Sequence, residues 1–142
     1  MPRLFAALFL LAAVAGCDSY GLADVDVDAL VLTATDDGFL IETEDDLECS
    51  NYPLLVDTDA SATRVAVEVE GVGEIGVCQQ ALGPARAVVP FPDDFDGLKV
   101  EVEIELDGET DRFDYSCDEG TCRLGPIGRL TFTRVGPRQP VN

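Results

Sequence analysis

Leu98 to Cys117 reads LKVEVEIELDGETDRFDYSC. Two alternating runs flank Asp107-Gly108, a dipeptide suited to the positive backbone angles of a tight two-residue turn, so the stretch predicts a β-hairpin. A two-residue loop fixes the register. Leu98, Val100 and Val102 then fall opposite Cys117, Tyr115 and Phe113 on one face, and Glu103 falls opposite Arg112 on the other. Apolar meets apolar and acid meets base, as a sheet with one buried face requires. The same register sets Glu101 against Asp114, a like-charge pair that is mildly destabilising unless something intervenes.

Working outward, the period stays at two. Ala29–Thr35 and Phe39–Thr43 flank Asp36-Asp37-Gly38, a turn of two or three residues. Thr63–Glu70 puts Val65, Val67 and Val69 on one face. Ala85–Phe91 is a short apolar strand that Pro90, Pro92 and the following aspartates break. A return strand, Arg129–Val135, follows a Gly125-Pro126 turn. No helical periodicity follows the first sixteen residues. Seven to nine short strands predict an all-β fold, an antiparallel β-sandwich of immunoglobulin-like strand count, with a small β-barrel as the alternative. The Trp of immunoglobulin domains is absent.

The N-terminus has a different character. Arg3 is the only charge before Asp18, and Leu4–Ala13 (LFAALFLLAA) is unbroken and apolar. Such a run fits the core of an export signal and falls short of the roughly 20 residues of a transmembrane helix. It ends in Val14-Ala15-Gly16-Cys17, which resembles the lipobox of bacterial lipoproteins: an aliphatic residue, two small residues, then cysteine. The resemblance covers residues 1–17 only. It implies cleavage before Cys17, a lipid on the Cys17 thiol, and a home in the cell envelope on the periplasmic or cell-surface side. The membrane partner is then reached through lipid. Residues 1–16 are thus the signal peptide, 17–28 the lipidated cysteine with an acidic tether, 29–135 a single β domain, and 136–142 a frayed tail.

Composition narrows the partners. The chain holds 28 acids and 9 bases, and Arg3 lies in the signal. No basic footprint for nucleic acid is left. Abundant Asp with a single lysine, Lys99, resembles proteins of salt-adapted organisms. A large net charge of one sign keeps a protein soluble, and salt screens its self-repulsion. The charge is uneven: Arg123, Arg129, Arg134 and Arg138 close the chain with no acid among them. A basic last strand beside acidic ones is the simple reading.

Four cysteines remain after Cys17. Outside the cytoplasm an even number predicts two disulfides. Of three pairings, Cys117–Cys122 and Cys49–Cys78 are favoured, because Cys117 and Cys122 face each other across a short loop. Their spacing is not that of redox or zinc sites.

The chain has no histidine, which removes the commonest general base and metal ligand. Gly71-Val-Gly73-Glu-Ile-Gly76 matches a dinucleotide fingerprint in letters, but no helix pattern follows it. Calcium is the one cofactor the acids suggest, since hard cations take several oxygens. Candidate ligands are Asp57, Asp59, Asp93, Asp94, Asp96, Glu101 and Asp114, with Asp24, Asp26 and Asp28 as a further row. Asp57 to Glu68 echoes EF-hand spacing, yet Ala62 stands where that loop needs glycine. The expectation is a non-catalytic interaction or envelope-structural module with a protein partner in the envelope. The alternatives are a calcium-stabilised adhesion or ligand-binding module and a small carboxylate-based hydrolase.

Overall fold

The computed structural model describes residues 21–93 and 99–137. Eleven strands lie among them: β1 Leu30–Thr35, β2 Gly38–Thr43, β3 Leu47–Cys49, β4 Leu54–Ala60, β5 Arg64–Val72, β6 Gln80–Gly83, β7 Arg86–Pro90, β8 Val100–Leu106, β9 Glu109–Asp118, β10 Thr121–Pro126 and β11 Thr133–Val135. They form a four-stranded sheet (β11-β1-β2-β7), a five-stranded sheet (β10-β9-β8-β5-β4) and a β3-β6 ribbon. The fold is an all-β sandwich. Among the described residues no sheet closes on itself, which sets aside the barrel. Most pairings are antiparallel; β1–β11 and β5–β8 are parallel.

The hairpin that opened the sequence reading forms in the expected register. Val100 faces Tyr115, Val102 faces Phe113 and Glu103 faces Arg112. Leu98 lies outside the described residues. Asp107 and Gly108 both have positive φ, 52° and 80°, the geometry that matches strand twist in a two-residue loop. Every second residue of β8 points inward, and Val100, Val102, Ile104 and Leu106 are all buried. They meet Leu30, Leu32, Phe39, Ile41 and Val89 from the other sheet in one cluster. Burying each such side chain contributes about 1.5–3 kcal/mol. In β5 the alternation slips once. Leu55 faces Gly71 and Val56 faces Val69, leaving Glu70 as the extra residue of a bulge. Val72 can therefore be buried three positions after Val69.

At the first hairpin the loop is Asp36-Asp37, since Thr35 pairs with Gly38. Gly38 is required by a close approach: a Cβ there would lie 2.1 Å from the Val89 carbonyl oxygen. The Tyr115 hydroxyl donates to the Thr35 carbonyl at 2.6 Å, and its ring packs edge-on against Phe91 at 4.3 Å. This ties the five-stranded sheet to the mouth of that hairpin.

Several expectations need correction. Gly125-Pro126 is not a turn but the end of β10, an edge strand where proline's missing N–H is tolerated. The return strand shrinks from Arg129–Val135 to β11, because a side chain, not a strand, takes the N–H groups of residues 131–133. Leu54–Ala60, which carries Asp57 and Asp59, forms edge strand β4, a strand the sequence did not announce. The tether is docked from Gly21 onward. Ala23, Val25 and Val27 pack against the core while Asp24, Asp26 and Asp28 stay exposed. The Ala23 N–H donates to the Val72 carbonyl at 2.8 Å. Among the described residues, contacts with the sandwich therefore start before Ala29 and include Gly21 to Val27. Gly136, placed in the frayed tail, still bonds to β1 through its N–H, donating to the Leu32 carbonyl at 2.9 Å.

Candidate interaction site

Both favoured disulfides are present, Cys49–Cys78 and Cys117–Cys122. Cys117 and Cys122 face each other in the β9–β10 ladder around a Glu119-Gly120 turn. Cys49–Cys78 has a different setting. Cys49 ends β3 and Cys78 stands just before β6, so the bond locks the ribbon to the loop leaving β5. Asn51 adds a second lock: its Nδ2 donates to the Val77 carbonyl at 2.8 Å, and its Oδ1 accepts the Gln79 N–H at 2.9 Å. A third contact is the Gly73 N–H donating to the Pro53 carbonyl at 2.8 Å. Gly73 must be glycine, since a Cβ would sit 2.9 Å from the Pro53 ring.

What these locks hold is apolar and open to solvent. Val77 is 80% exposed. Beside it, Asn51, Pro53, Leu55, Glu74, Ile75 and Val77 line an open cleft of about 440 Å³. Cys49–Val56 and Ile75–Ala85 contain no charged residue, in a chain that is 26% charged. The docked N-terminal segment reaches the same rim. Leu22, 57% exposed, bridges to Gly73, and the Glu74 N–H donates to the Gly21 carbonyl at 2.8 Å.

The candidate cation ligands are scattered. Asp57 and Asp59 lie on β4; Asp57 faces Glu68 on β5, which in turn neighbours Glu105 on β8. With Arg64 and Glu103 they rim a depression of about 180 Å³ on the outer face of the five-stranded sheet. Glu103 accepts from both Arg64 and Arg112, the latter at 3.1 Å. Glu101 faces Asp114 as expected, and Lys99 intervenes, its Nζ 3.0 Å from Asp114. Asp93 follows β7, in the other sheet. Asp94 and Asp96 lie outside the described residues, as does Cys17. Among the described residues no three His, Cys, Asp or Glu side chains converge to hold a metal ion. Of the terminal arginines, Arg134 pairs with Glu44 at 3.1 Å, and Arg138 is outside the described range.

One buried acid escaped the sequence reading. Asp111, 1% exposed, accepts the N–H groups of Thr131, Phe132 and Thr133 at 2.8, 3.1 and 2.9 Å, and the Thr133 hydroxyl at 2.5 Å. Burial pushes its pKa up, but these four donors outweigh burial and hold it below the ordinary 3.8, as hydrogen bonds to a carboxylate do. Its work is structural: it caps the segment that leads into β11. The signal was present in the hairpin register, which sets Asp111 opposite Ile104 on the buried face. Asn51 and the apolar loop gave no comparable signal, because their meaning depends on a disulfide and on neighbours distant in sequence.

No protein-family model, no curated protein and no solved structure matches this chain.

Proposed function

We propose that this chain is a lipid-anchored β-sandwich of the bacterial cell envelope that acts as a non-catalytic interaction module, with the loop from Gly73 to Gln79 as its working surface. The observation that carries this reading is Val77: a fully apolar side chain, 80% exposed, on a loop clamped by Cys49–Cys78 and by Asn51. An exposed apolar side chain on a mobile loop is unremarkable. One held rigid has already lost the freedom that binding would otherwise remove, and such preorganisation favours association. The lipobox supplies the location, and the acidic composition argues against nucleic acid as partner.

A photo-reactive amino acid at Val77, compared with one at Ala62 in the exposed turn between β4 and β5, tests the reading in intact cells. Cross-linking concentrated at position 77 is the expected result; equal or weaker labelling there contradicts it.

A further inference from the structure

The apolar loop and the N-terminal segment meet at one rim, and that coincidence identifies what the loop rests on. Gly21 is held by the Glu74 N–H, one residue from Ile75 and three from Val77. Cys17 lies four residues earlier in the chain. At roughly 3.3–3.6 Å per residue, its Cα cannot be more than about 14 Å from that of Gly21. A lipid on Cys17 places that cysteine at the membrane surface, so the Gly21–Glu74 rim is held within the same short distance.

We infer that this end of the sandwich seats on the lipid bilayer, with Val77, Ile75 and Leu22 at the boundary of headgroups and acyl chains. The inference rests on the lipid-anchor reading above and names the partner of that surface. Two features support a lipid surface over a protein. Of the residues that line the cleft only Glu74 is charged, and the segments Cys49–Val56 and Ile75–Ala85 carry no charge while the chain as a whole carries −19, so the acidity thins where headgroups would be met. The exposed, uncharged side chains of Gln79 and Gln80 beside the apolar ones suit the hydrated headgroup layer. Shallow apolar contact of this kind binds weakly alone, and a second signal beside an acyl chain converts marginal binding into stable anchoring. The contact also restricts the orientation of the domain, which a flexible tether would leave free.

The chain has no tryptophan, so one can be introduced as the sole reporter. Val77→Trp is made in the full lipidated chain, with Ala62→Trp as control. Ala62 is at the opposite end of β5 from Gly73. Each is reconstituted into vesicles of phosphatidylcholine brominated in its acyl chains, and flotation is measured first. The expected result is that both proteins float, and that Val77→Trp is quenched several-fold more than Ala62→Trp, with Ile75→Trp following Val77→Trp. If the proteins float and the two reporters are quenched alike, the seating is overturned while the anchor stands. Blue-shifted Val77→Trp emission without quenching also overturns it, placing a second copy or the protein's own acyl chain in the cleft. Failure to float overturns the lipid anchor, and the seating with it.

Discussion

Asp111 shows how much one side chain can fix. Three backbone N–H groups and a hydroxyl converge on a buried carboxylate. Replacing it with alanine leaves donors buried without partners, each costing about 1–3 kcal/mol, so a loss of at least about 3 kcal/mol is expected from chemical denaturation. Acid should reproduce part of this. Its folded pKa lies below the ordinary 3.8, so its stabilisation is complete above that value and fades as pH falls through the folded pKa. Below about pH 4 the wild type should therefore lose stability relative to Asp111→Asn. Equal acid slopes would remove Asp111 from this role. Its inward position was legible, because a two-residue turn fixes which residues share a face. Its partners were not, since they lie twenty or more residues away.

At the level of elements, legibility followed local chemistry. The Asp107-Gly108 hairpin declared itself because turn type and alternation agree. The strands β3, β4, β6 and β10 did not. β4 carries Asp57 and Asp59 on an edge, where one side of the backbone is unpaired and the hydrophobic pattern is incomplete. β3 and β6 are short, and the Cys49–Cys78 bond ties the end of β3 to the loop that enters β6. The docked N-terminal segment hid behind its aspartates, although Ala23, Val25 and Val27 have the period of a strand. The two disulfides make unequal contributions. Their sequence separations are 29 and 5 residues, and loop-closure entropy then assigns about 3.5 and about 2 kcal/mol. Removing Cys49–Cys78 by paired Cys→Ala substitution should lower the denaturant midpoint more than removing Cys117–Cys122, and should release the Val77 loop. The opposite order would show that the ribbon holds without its covalent lock.

The whole molecule carries 28 acids against 9 bases, and its outer sheet face sets Asp57 against Glu68 beside Glu105. Repulsion among exposed carboxylates is screened by any salt. Melting temperature should accordingly rise with sodium chloride and rise equally with calcium chloride at matched ionic strength. An extra, calcium-specific rise would mean an ion bound to the folded state and would favour the calcium-stabilised module. Orientation belongs to this scale as well: under the proposed lipid anchor, the apolar corner lined by Ile75 and Val77, with Glu74 as the single charge of its lining, would face the membrane and the acidic body would stand away from it. All of this depends on the N-terminus. The most direct measurement is mass spectrometry of the chain recovered from membranes of the producing cell. A first residue of Cys17, carrying a diacylglyceryl group on its sulfur, is the predicted result. A free Cys17 thiol, or a chain cut elsewhere and recovered in the soluble fraction, would contradict the account.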